Sequence, residues 1–224
     1  MDVNEKIARA YFEEVHGYIV KTNHYYKKVR TTGTGPSDID LVMIQPQRIA
    51  SFGKQAICTV KGWQSQLIKY SDITNPSIFQ GKWRIFEPAE IAEADRILGA
   101  GNYSKIVILP PIHPSDKAKS IRFLNGQGII LIDFSDVLCE LLRHISIVSN
   151  KNRAYNDETL QILRMVAINI ISVGQNGELF IERAAIDNFI RNRAATNNNC
   201  HSLNTSGSIT GRYKKNKTKD YIEI

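Results

Sequence analysis

Apolar positions along the chain repeat at two spacings. From Asn4 onward, Ile7, Tyr11 and Val15 recur every four residues with Ala8 and Phe12 beside them, the period of an amphipathic helix. Gly17 supplies the residue that ends such a helix. Residues 18–20 read as a short strand, and residues 21–30 are polar and basic with Tyr25 and Tyr26 interleaved. Gly33, Gly35 and Pro36 turn the chain. A strand over 38–44 starts acidic and becomes apolar, and a second over 56–63 ends in Lys61-Gly62-Trp63. The stretch 64–82 is mixed. Pro88 opens a helical pattern that runs to Leu98. Apolar runs at 105–109 and 128–132 read as buried strands, each followed by a helical pattern, over 116–124 and 136–145.

This alternation of helices and strands predicts an α/β fold, a mixed central sheet flanked by helices on both faces. Residues 159–172 and 182–193 read as further helices, with Ile162, Met165, Val166 and Ile170 as core positions. From Ala194 the chain turns to Asn, Ser, Thr, Gly and Lys, the composition of a segment that cannot bury a core. Three regions follow: a main domain over 1–148, a short helical extension over 149–193, and a basic, flexible tail over 194–224.

The 224 residues carry 29 Lys+Arg against 22 Asp+Glu, a net charge of +7. Arg191, Arg193, Arg212, Lys214, Lys215, Lys217 and Lys219 fall in one acid-free stretch and account for that excess, so the remainder is balanced. A basic tail attracts phosphate backbones without reading sequence, and it also serves simply as a solubilising terminus. No run approaches the roughly 18 apolar residues of a membrane span, so no membrane partner is expected. Residues 1–10 carry acids where a signal peptide needs bases. Cys58, Cys139 and Cys200 lie far apart and outside any CxxC, which argues against disulfides and structural zinc and for a reducing cytoplasm. The five histidines form no HxxxH or HExxH pair, and Gly33-Thr34-Gly35-Pro36 lacks the Gly-Lys-Ser/Thr of a phosphate loop.

One constellation carries chemistry. Glu5 lies in the first helix, Asp40 in the acidic-then-apolar strand, and Lys61 at the end of the strand that follows. Paired, those two strands bring Asp40 close to Lys61. Carboxylates gathered at a sheet edge suit a hard cation such as Mg²⁺, and a lysine beside them can orient a water and stabilise a charged phosphorane. The segments Gly17–Val20, Ser37–Val42 and Thr59–Trp63, with Glu5 before them and the strand and helix of 128–142 after, resemble the PD-(D/E)xK nuclease superfamily, the restriction-endonuclease-like fold. The resemblance covers about the first 148 residues by order and spacing.

The resemblance implies a metal-dependent DNA endonuclease. The hairpin acid Asp40 would bind Mg²⁺ or Mn²⁺, Lys61 would position the nucleophile, and Glu5 would assist from the helix. Asp40 is preferred to Asp38 because an apolar pair follows it. The family's third acid, two residues before the lysine, falls on Thr59, which brings no charge. A carboxylate from elsewhere can replace it, as in some members of that superfamily, and Asp72, Glu87, Glu90 and Glu93 are the candidates. Otherwise the fold is a catalytically inactive DNA-binding or assembly module. A protein-interaction domain with no nucleic acid partner is the third reading. Lys21, Lys27, Lys28 and Arg30 with the tail bases Arg212, Lys214, Lys215, Lys217 and Lys219 are the expected DNA-backbone contacts. The oligomeric state stays open, a homodimer included.

Overall fold

The computed structural model describes residues 2–26, 37–46, 52–62, 67–146, 155–169, 171–173, 179–182 and 221–223. Contacts divide the chain into two units, Met1–His144 and Ile145–Ile224.

The first unit is built on a five-stranded sheet whose strands lie in chain order. They are β1 (Ile19–Tyr26), β2 (Ser37–Ile44), β3 (Gln55–Val60), β4 (Ser104–Leu109) and β5 (Ile129–Asp133). β2 runs antiparallel to both β1 and β3, whereas β3, β4 and β5 run parallel. The expected mixed sheet is therefore present. β1 is longer than the sequence pattern implied because it is an edge strand. Its Lys21 and Tyr25 stay exposed, so no apolar alternation marks it.

Side-chain alternation along β3 sends Ile57 and Thr59 to one face and Ala56, Cys58 and Val60 to the other. On the first face, α3 (Pro88–Leu98) packs its Ala94 and Leu98 against Ile57, Val42, Ile39 and Tyr26. Further along the same face, α2 (Tyr70–Thr74), a π-helical turn over Ser77–Lys82 and α4 (Pro114–Gly126) close over Val107, Leu109, Ile129 and Leu131. Trp83 is buried there beside Phe79. α1 (Val3–Ala10) contacts β2 and β3, and α5 (Phe134–Ser146) follows β5 directly. The two helices are tied by the Tyr11 hydroxyl, which donates to Glu140 at 3.1 Å. Cys139 is half-buried.

The first helix is shorter than its apolar period suggests. After Ala10 it widens into a π-helical turn over Tyr11–Val15, which shifts Val15 off the line of Ile7 and Tyr11. Gly17 follows with φ 68°, a conformation that favours glycine. At the other end, the capping box of Asp2 and Glu5 fixes where the helix starts.

In the second unit the described residues form one helix and three short strands. α6 (Glu158–Asn169) is followed by a three-stranded antiparallel sheet of β6 (Ile171–Val173), β7 (Leu179–Glu182) and β8 (Tyr221–Glu223). The end of the tail is thus a strand. Three-residue strands carry too little periodicity to be read from sequence. The helix expected over 182–193 lies outside the described residues except for Glu182, which ends β7. On α6, Leu160 and Ala167 are buried, while Ile162 and Met165, expected in the core, are exposed. Among the described residues, no helix is long and apolar enough to cross a membrane.

Candidate functional site

β3 is the strand on which the candidate residues converge. Its register with β2 runs from Ile44 opposite Gln55 to Leu41 opposite Cys58, and there the backbone ladder ends. Asp40, the next residue of β2, continues the pairing with its side chain: Val60 N–H donates to Asp40 Oδ2 at 2.7 Å. One residue on, Lys61 N–H donates to the Ile108 carbonyl at 2.9 Å, which keeps the end of β3 in line with β4. The hairpin acid and the strand lysine are therefore neighbours.

Thr59, the residue standing where an acid was expected, is buried, and its hydroxyl donates to Glu90 Oε1 at 3.1 Å. Glu90 lies in the first turn of α3, is only 4% exposed, and is also favoured by the backbone N–H of Glu87. Of the four candidate replacement acids, Glu90 bonds to Thr59 and feels the charges of Asp40 and Lys61. Asp72 accepts from the Lys69 backbone at the start of α2. Glu87 pairs with Arg84 at 3.1 Å. Glu93 is held by Arg96 at 2.6 Å and by His24 at 2.7 Å.

The electrostatics are those of two partly dehydrated acids near one base. Burial pushes the Asp40 carboxyl up to about 6, against the pull of Lys61 and the Val60 N–H, and the charges of Glu5 and Asp38 add to the rise. Burial likewise pushes Glu90 up to about 7, helped by the negative charge of Asp40 and opposed by the Thr59 hydroxyl and Lys61. A single lysine does not compensate the pair.

Glu5 reaches the site as a charge more than as a contact. Its Oε2 accepts from the Asp2 backbone at 3.1 Å, the return half of the capping box. Burial raises its carboxyl, with Asp2 and Asp38 contributing. The residue that physically joins α1 to the site is Asn4, which is buried and donates from Nδ2 to the Gly62 carbonyl at 3.2 Å. A Cβ at Gly62 would come within 1.9 Å of the Asn4 side chain, so glycine is required next to Lys61. Neither Asn4 nor the His24–Glu93 tie between β1 and α3 was singled out in the sequence, because neither belongs to a local motif.

Among the described residues, no three His, Cys, Asp or Glu side chains stand together as a metal-ligand group. Of the expected nucleic-acid contacts, Lys21 is exposed on β1. Tyr26, read beside them, is buried under α3. Lys27, Lys28, Arg30, Arg212, Lys214, Lys215, Lys217 and Lys219 lie outside the described residues, as does Trp63. Compared with family models, with curated proteins and with solved structures, the chain matches none.

Proposed function

We propose that the first unit is a metal-dependent nuclease of the PD-(D/E)xK type, acting on DNA, in which Glu90 of α3 supplies the carboxylate that Thr59 lacks. The observation that carries this reading is the Thr59–Glu90 hydrogen bond beside Asp40. It brings a carboxylate to the side chain that stands where the strand acid was expected, within the electrostatic reach of Lys61. The sheet supports the same reading: its five strands lie in chain order, with the acid-bearing strand alone reversed.

The donor set suits Mg²⁺ or Mn²⁺. Such a hard cation takes oxygen ligands, and Mg²⁺ commonly keeps several waters while bound through only one or two carboxylates. Asp40 and Glu90 are the residues that would hold it, and Glu5 would tune the site through its charge. When bound, the ion supplies Lewis-acid polarisation of a phosphoryl oxygen and acidifies a water. The Lys61 ammonium orients the attacking water and offsets charge that grows on the phosphorane oxygens. Without a cation, the negative charge of Asp40, Glu90, Asp38 and Glu5 would repel a phosphate backbone. The exposed Lys21, and the bases of residues 27–30 and of the tail, would position the duplex without reading its sequence.

The test is plasmid cleavage by the full chain with Mg²⁺ or Mn²⁺. Cleavage should stop with EDTA and fall by at least about 100-fold in Asp40→Asn, Glu90→Gln or Lys61→Met, the scale seen when one catalytic electrostatic group is removed. Equal cleavage by wild type and Glu90→Gln would remove Glu90 from the site.

A further inference from the structure

The hairpin of β1 and β2 contains an irregularity exactly where the candidate acid sits. Thr22 lies opposite Leu41 and His24 opposite Ile39, and between them Asn23 takes a φ of 50°. Val42 and Ile39, three residues apart, both pack into the cluster beneath α3. In an unbroken strand, residues three apart face opposite ways. The phase of β2 therefore slips between them, at Asp40, directly across from Asn23. β1 slips with it, since Tyr26 joins the cluster under α3 and His24 meets Glu93 of α3 at 2.7 Å with both side chains 14% exposed.

We infer that Asn23 is a positioning residue: its left-handed backbone sets the slip that aims the Asp40 carboxylate at the Val60 N–H and turns His24 onto α3. The β2–β3 ladder stops at Leu41 opposite Cys58, and beyond it the Asp40 side chain receives the Val60 N–H. It also seats Glu93, and with it α3, against β1, one helical turn beyond Glu90. Asparagine suits the position because, among residues with a side chain, it is one of the few that enter the left-handed region readily. The geometric role stands on the structure. Its bearing on catalysis rests on the metal site proposed above.

The test compares Asn23→Gly with Asn23→Val in the full chain, with Asn23→Ala as the unbranched variant should the valine fail to fold. Two quantities are read: hydrogen exchange of the Val60 amide, which needs no metal, and Mn²⁺ affinity by calorimetry. Glycine accepts the left-handed backbone, so Asn23→Gly should leave both close to wild type. Asparagine offsets the left-handed penalty through local hydrogen bonding of its short polar side chain, whereas valine or alanine bears it in full, roughly tenfold, so either should speed Val60 exchange and weaken Mn²⁺ binding by up to about that factor. Val60 exchange that is equal in all variants would overturn the positioning role. If exchange follows the glycine–valine order but wild type binds no Mn²⁺, the positioning role holds and the metal reading fails.

Discussion

Replacing Asp40 by Asn or Glu90 by Gln should stabilise the metal-free protein at pH 8. Both substitutions keep an oxygen to accept from Val60 N–H or from the Thr59 hydroxyl, and both remove the charge. The sign follows from proton linkage. A carboxyl whose pKa is higher in the folded state favours folding while protonated, and that advantage is lost as pH rises through the folded value. Asp40 rises from its ordinary 3.8 to about 6, and Glu90 from 4.5 to about 7. At about 1.4 kcal/mol per tenfold change in proton affinity, each ionised acid costs roughly 3 kcal/mol above pH 7.5. Each single variant should then raise the unfolding midpoint at pH 8 by on the order of 5–10 °C. The double variant should gain less than the sum, because part of the Glu90 rise comes from the Asp40 charge. Near pH 4 both acids are protonated in the native state, and the gain should vanish. The assay is thermal unfolding in EDTA from pH 4 to pH 8.5. Variants that are less stable than wild type at pH 8, or equally shifted at every pH, would refute the reasoning.

Three further outcomes follow from contacts. Thr59→Val removes the hydroxyl that favours ionised Glu90, so it should cost about 1.5–3 kcal/mol at pH 8 and much less at pH 5, as thermal unfolding at the two pH values would show. Gly62→Ala drives a Cβ into Asn4 and should cost about 1–3 kcal/mol, with part of the loss recovered in the Asn4→Ala, Gly62→Ala double variant measured by denaturant unfolding. Truncation after Lys219 removes β8, so the amides of Phe180 and Glu182, in the strand paired with it, should exchange faster, as mass spectrometry of exchanged protein would report.

Much of the first unit was written in its apolar periods. The apolar runs Ile106–Leu109 of β4 and Ile129–Ile132 of β5 are readable because successive residues there are buried or nearly so, and α3 announces itself with Pro88 at its first position. Only the start of β1 was readable because an edge strand need not alternate, and α2 and the π-helical turns escaped because they are too short to show a period. In the second unit, the exposed Ile162 and Met165 show that an apolar residue in a helix need not be a core residue. At the candidate site, Asp40 and Lys61 were readable because they sit on consecutive strands. Glu90 could be named only as one of four acids, since its meeting with Thr59 spans 31 residues and depends on how α3 lies on the sheet. Asn23 gave no signal at all, because the left-handed turn it makes is a property of the paired hairpin.

The central claim is that Glu90 does for this site what an acid at position 59 would do, and calorimetric titration of Mn²⁺ addresses it most directly. Wild type should give saturable heat, Glu90→Gln should lose it, and Thr59→Asp added to Glu90→Gln should regain it in part by returning a carboxylate to β3. Equal heats in wild type and Glu90→Gln, or no saturable heat in wild type, would contradict the account.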